Sequence, residues 1–426
     1  MCLICFIEDD TQYKLRKSAQ LRSDRFEHTL EKYKLSFIDN FINSKENTLC
    51  PKHNTKNNLK IALKLNEIQI DRIHNFFNII TRCYLEWINS ELSTSLSDLK
   101  KLLSEYKILN FRSKIPNSVF YRGRKSESFI SHWDMFHIPF NRRYLIGNQR
   151  YSLVGQPLLY LAASPYCVVK ELGTTKDVRI SSFRFKEIPN LDLFDNSNLF
   201  PEIINTTSSD NILELADKLI NRDNLSNENI ELFFYKCILS NCCSFEVNEE
   251  LKKYSLKEEY ILPQMLAQIL KESNFNGIIY TSTKAFTDSS ISNSYSELWK
   301  MYKNYCIFTN YNYKRSCEVS YVYDKELYEK FIVSAPMLCS KTIDSYFYNI
   351  ESSIADINKL LSNNNLSKYE ESLYNNINET LLSYIAYNEN INNSAELLNS
   401  SINLHSLLLR NIIINIKEVN TSKEDF

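Results

Sequence analysis

Apolar residues recur at intervals of three and four through residues 13–42 and again through 58–106, with polar and charged residues between them. That spacing lines one side of a 3.6-residue helix, so both blocks predict amphipathic helices. No glycine interrupts either block, and Pro51 falls between them. At KIPNSVFYRGRK the pattern changes to β-branched and aromatic residues mixed with Arg and Gly. Short strand-like runs follow: SVFYRG, PLLYLAA, VRISSFRF, FNGIIYTST and NYCIFTN. Between the third and fourth runs, residues 210–272 return to helical spacing in NILELADKLINR and ILPQMLAQILKES. Beyond about residue 335 the chain is again helical, with Asn-rich interruptions (LSNNNLSK, NNINET, NENINNS) and no internal repeat.

The pattern predicts an α+β body over 116–333 with a helical insertion at about 205–272. A helical segment, 1–115, precedes it, and a helical Asn-rich segment, 334–426, follows. Glycine agrees with this division. All five glycines lie between Gly123 and Gly277, and a helix interior disfavours glycine by about 1 kcal/mol. A length of 426 residues exceeds one ordinary domain.

Charge narrows the partners. Fifty basic residues against 51 acidic ones leave a net charge of −1, without the basic excess of a nucleic-acid-coating protein. The start, MCLICFIEDD, has no basic region, and its apolar run is too short for a signal peptide. No stretch approaches the roughly 18 uncharged apolar residues of a membrane span. The expectation is a cytoplasmic protein with no membrane partner, its eleven cysteines kept as thiols.

The glycine-containing middle lacks G-x-G-x-x-G, the P-loop, H-E-x-x-H and G-x-S-x-G. Any phosphate held there must be gripped by side chains, and the planar fork of Arg suits that work. Arg122 and Arg124 bracket Gly123 in FYRGR, and Arg150 precedes YSLVG. Tyr160 stands in the PLLYLAA strand, Glu171 in the following helix CVVKELG, and Ser282 ends GIIYTS.

Taken in order, FYRGR, MFHIPFNRRY, QRYSLVGQPLLYLAAS with Glu171, EYILPQMLAQIL, GIIYTS and NYCIF resemble the RES domain, named for its Arg, Glu and Ser. The likeness runs over about 120–310 and is greatest to the longer RES proteins, which carry extra helical segments. It implies a fold related to ADP-ribosyltransferases and cleavage of the nicotinamide–ribose bond of NAD+, with phosphate or water as acceptor. Several family members are bacterial toxins paired with an antitoxin, so a toxin or defence effector with a regulatory partner is implied. Carried over by position, the catalytic set is Glu171, Arg122 and Ser282, and the substrate-binding set is Arg124, Arg150 and Tyr160. One departure stands out: Asn148 and Gln149 precede Arg150 where the family often has two small residues.

The residue types suit that chemistry. Loss of nicotinamide makes the ribose oxocarbenium-like, and a carboxylate such as Glu171 can hydrogen-bond its hydroxyls and stabilise the cation. Arg122 and Arg150 can clamp the pyrophosphate, Tyr160 can stack on a ring, and Ser282 can position nicotinamide or a hydroxyl. No catalytic metal is required.

Three further patterns stand apart. Cys2-x2-Cys5 and Cys50-x2-His53 are two pairs of the kind that build a tetrahedral structural zinc site, although Cys2 and Cys5 equally suit apolar packing. His132 and His137 read as loop-shaping residues. Arg22 and His28 have the R-x5-H spacing of HEPN-type ribonucleases, which keeps an RNA-cleaving or RNA-binding N-terminal module as an alternative. A non-catalytic scaffold that binds ADP-ribose or a partner is a third reading.

Overall fold

The computed structural model describes residues 1–21, 25–51, 56–128, 130–174, 177–197, 227–248, 252–284, 302–311, 322–334, 336–338, 359 and 362. The predicted helix NILELADKLINR and nearly all of the 334–426 segment lie outside these. Within them the chain is a mixed α+β protein.

Six helices come first: α1 (Leu3–Ile7), α2 (Asp9–Gln20), α3 (Phe26–Lys45), α4 (Lys56–Glu67), α5 (Ile70–Ile88) and α6 (Leu92–Glu105). Each of the two periodic blocks therefore forms more than one helix. The turn between α5 and α6 puts Ser90 at φ +67, a left-handed conformation that hydrophobic spacing does not announce. Helix α1 was not foreseen, because Leu3, Ile4, Phe6 and Ile7 are all buried and leave no polar face to set a period. In α3 the buried Phe26, Leu30, Tyr33, Phe37 and Phe41 follow the expected spacing.

Nine strands then form one sheet among the described residues: β1 (Arg112–Lys114), β2 (Val119–Lys125), β3 (Leu158–Ala162), β4 (Val178–Phe185), β5 (Asp192–Asp195), β6 (Gly277–Thr281), β7 (Lys303–Phe308), β8 (Phe331–Val333) and β9 (Met337–Leu338). Their order is β1-β5-β6-β7-β3-β2-β4-β8, with β9 also on β4. All pairs are antiparallel except β5 with β6. The five predicted strand runs became β2, β3, β4, β6 and β7. The shorter β1, β5, β8 and β9 are too brief to show alternation, and β9 lies just beyond the expected boundary at 333. Helices α7 (Pro165–Leu172), α8 (Asn227–Cys242), α9 (Ile261–Glu272) and α10 (Lys325–Tyr328) lie between strands.

Both faces of the sheet are covered, which explains why YCIF reads as a continuous apolar run after Asn304. Cys306 and Phe308 turn towards the helices, where one core runs from Phe6, Phe37 and Phe77 through Phe234 of α8 and Leu266 of α9. Segment 1–115 and the insertion thus share a core. Tyr305 and Ile307 turn the other way, to Phe120, Phe136, Leu327 and Phe331. No helix among the described residues is long and apolar enough to cross a membrane.

The sheet has one weak seam. β2 pairs with β4 along its whole length, and β3 with β7 along its whole length. β2 and β3 meet only at Tyr121 opposite Ala162, and then part.

Candidate active site

The structure brings Arg122 to Tyr160 at the parting of β2 from β3, and Glu171 to Ser282 beside α7; among the described residues no hydrogen bond joins Glu171 to Arg122, Arg124 or Arg150. Arg122 follows Tyr121 at the seam, and its Nη1 donates to the main-chain oxygen of Tyr160 across the gap, at 2.9 Å. Its Nε is buried without a hydrogen-bond partner among the described residues. Burial, reinforced by the like charge of Arg124, pushes Arg122 down to about 9. A buried guanidinium with an idle donor is costly unless an anion completes it.

Glu171 approaches from α7. Local chemistry builds this helix. Ser164 caps it by accepting from the Cys167 N–H at 3.1 Å, Pro165 stands in its first turn, and Gly173 ends it at φ +69. The helix packs on β2 over Gly123, where a Cβ would overlap Val168 Cγ1. One carboxylate oxygen of Glu171 is held firmly. Oε1 accepts from Ser282 Oγ at 2.6 Å and from Asn304 Nδ2 at 2.8 Å. Among the described residues Oε2 accepts no hydrogen bond and no ion pair ties Glu171 to an arginine. Lys284 donates to the main-chain oxygen of the same residue.

Arg150 is held by main-chain oxygens and a threonine hydroxyl. Its Nη1 donates to the Cys243 oxygen at 2.7 Å, and its Nη2 to the Phe245 oxygen at 3.0 Å and Thr283 Oγ1 at 3.3 Å. The guanidinium lies 4.9 Å from the Tyr260 ring centre. Arg150 therefore ties the end of the α8 region to the residue after Ser282. Burial raises the Tyr260 hydroxyl, Arg150 opposes that, and Glu171 adds to it, so both charges are within reach of one ring. The Tyr280 hydroxyl is likewise raised by burial, then by Glu171, then by Tyr160.

Tyr160 also acts through its neighbours. Besides its main-chain bond to Arg122, its hydroxyl donates to Ser152 Oγ at 3.4 Å and accepts from the Tyr151 N–H at 3.3 Å. It pins the turn that carries Arg150, and its half-buried ring packs against the helical core. Arg124 donates to the Phe136 oxygen at 3.1 Å, and burial lowers its pKa.

Two residues at the site were missed in the sequence. Asn304 grips Glu171, and its Oδ1 accepts from the Cys167 thiol at 3.4 Å. Its signal is a lone amide in an otherwise apolar strand. Gln264 of α9 donates to Asn148 Oδ1, and also to the main-chain oxygens of Gln149 at 2.7 Å and Ser152 at 3.2 Å. A side chain from the EYILPQMLAQIL block thus clasps the turn at Asn148 and Gln149. Cys167 is no nucleophile here: burial, then the Glu171 charge, pushes its thiol well up.

His137 shapes a loop, as its context suggested. Its Nδ1 bonds the Ile138 oxygen at 2.7 Å, and its Nε2 accepts from the Asp324 N–H at 2.8 Å, which requires a neutral ring. Burial, despite the Ile138 bond and aided by Arg122 and Arg124, lowers its pKa from 6.5 to about 4. The unfolded chain therefore binds this proton first as pH falls. Stability should drop between pH 6.5 and 4, by about 3 kcal/mol for a shift of this size. Urea unfolding of wild type and His137→Gln at pH 7 and pH 4.5 should show the smaller pH dependence in the variant. Equal pH dependence would refute the assignment.

Of the remaining patterns, Cys2, Cys5 and Cys50 come together, with their sulfurs all within 4.8 Å of one another. His53 and Arg22 lie outside the described residues. His28 is exposed on α3.

Comparison with known proteins adds one likeness. Over 256 residues the chain is 27% identical to a protein of Bacillus subtilis (strain 168) named "Putative toxin YopC", an alignment covering 56% of this chain and 54% of that protein. The chain thus spans about half the length of the curated relative it matches. No family model matches. No solved structure matches either.

Proposed function

We propose that this chain is an NAD+-cleaving toxin of the RES type, built on an ADP-ribosyltransferase-like core. The observation that carries the reading is the grip on Glu171: Ser282 and Asn304 hold Oε1, and Oε2 is left for a ligand. In this reading Oε2 accepts from the ribose hydroxyls next to the reacting carbon. The C–N bond breaks, its electron pair leaves with nicotinamide and neutralises the pyridinium, and the ribose becomes cationic. A fixed carboxylate stabilises that charge as it develops, without the reorganisation that water would require. Water or phosphate then attacks the ribose carbon and gives up a proton.

Arg122 is the phosphate-binding arginine in this scheme, because only one of its terminal nitrogens, Nη1, is hydrogen-bonded among the described residues. Arg150 and Tyr160 are positioning residues that hold the loops around Ser282 and Arg122. Arg124 keeps Arg122 in a positive environment. The name of the Bacillus protein supports a toxic outcome, here depletion of NAD+, and an antitoxin would be the natural partner.

The direct test incubates purified chain with NAD+, with and without phosphate, and follows nicotinamide. Release by the wild type is expected, with ADP-ribose or its phosphorylated form as co-product according to the acceptor. No release under either condition rejects the reading.

A further inference from the structure

We infer that Cys2, Cys5 and Cys50 bind a structural zinc ion that fastens the first helix to the helical layer. The three sulfurs come from two stretches of chain, one entering and lying in α1, the other following α3. Cys2 Sγ lies 3.4 Å from Cys50 Sγ, and Cys5 Sγ lies 3.7 Å from Cys50 Sγ. Zinc holds thiolates at about 2.3 Å in a tetrahedron, which places neighbouring sulfurs about 3.8 Å apart. The spacing thus fits three corners of a zinc tetrahedron and is far from the roughly 2.05 Å of a disulfide. The Cys5 N–H also points at Cys2 Sγ, at 3.4 Å, a contact that favours a thiolate there.

The ion would serve a structural need. A five-residue helix cannot hold itself in water, yet α1 buries Leu3, Ile4, Phe6 and Ile7. Phe6 stacks edge-on against Phe37 with ring centres 4.8 Å apart, and lies 5.6 Å from Phe41. Apolar burial seats the helix on α3, and the ion would tie its thiols to the chain leaving α3 at Cys50. A borderline-soft divalent ion suits a thiolate-rich set, whereas magnesium and calcium prefer oxygen. The inference stands apart from the NAD+ reading, since its test reads metal and stability rather than turnover.

The full chain, purified under reducing conditions without chelator and then dialysed against trace zinc, should retain about one zinc per chain by atomic emission. Cys50→Ser and Cys5→Ser should each lose most of it. In case a variant fails to fold, the wild type supplies a second readout. A mercurial reagent that blocks thiols should release the zinc into a colorimetric chelator. A strong chelator should lower the thermal midpoint, and added zinc should restore it. Zinc well below one per chain in folded wild type overturns the inference, as does a content unchanged in both variants or a Cys2–Cys50 disulfide in the reduced preparation.

Discussion

Glu171→Gln is expected to lower nicotinamide release from NAD+ by about 10²–10³-fold, equivalent to about 3–4 kcal/mol of transition-state stabilisation. Glutamine has nearly the same shape, and its oxygen can still accept from Ser282 and Asn304. The atom replacing Oε2 is an amide nitrogen, which cannot offer negative charge to a developing ribose cation. The loss should therefore fall on kcat, with little change in unfolding midpoint. Asn304→Ala and Ser282→Ala each remove one of the two hydrogen bonds on Oε1. Each should cost less than Glu171→Gln, about tenfold, because the carboxylate survives but is less firmly aimed. Steady-state kinetics on the three variants would separate these effects. A Glu171→Gln enzyme with wild-type kcat would remove the carboxylate from the mechanism.

Gly123→Ala should disturb both stability and activity through one methyl group. The added Cβ would overlap Val168 Cγ1 and stand 3.1 Å from Leu172 Cδ1. Val168 is β-branched and stiff, so α7 must move away from β2. Overpacking of this kind costs about 1–3 kcal/mol. Glu171 lies three residues after Val168 on the same short helix, so the shift also pulls the carboxylate from Ser282 and Asn304. Urea unfolding should show the lost stability, and nicotinamide release should fall in protein that is still folded. Adding Val168→Ala should restore part of both by making room for the new methyl. If Gly123→Ala matches wild type in stability and turnover, α7 is not seated as described.

Much of the site could be read locally. Ser164, Pro165 and Gly173 announce where α7 begins and ends, and so where Glu171 stands. FYRGR and GIIYTS place Arg122 and Ser282 on or beside strands before any tertiary fact is known. Arg150 shows the limit of that reading. Its residue type allowed a phosphate clamp, but the carbonyls it meets, at Cys243 and Phe245, lie more than ninety residues away. Tyr160 is similar, since a tyrosine in an apolar strand gives no sign that its hydroxyl will pin the turn at Ser152.

Periodicity was enough to assign helix or strand to the longer elements, because hydrophobic spacing acts within a few positions. What singled out Arg122, Glu171 and Ser282 was the resemblance carried by the ordered blocks, not periodicity. Strand order, the seam between β2 and β3, and the meeting of Ser282 and Asn304 on one oxygen of Glu171 arose only on folding. Those features depend on sheet register and on contacts between segments more than a hundred residues apart. No local pattern carries that information, since a one-residue slip of β7 would turn Asn304 to the opposite face of the sheet.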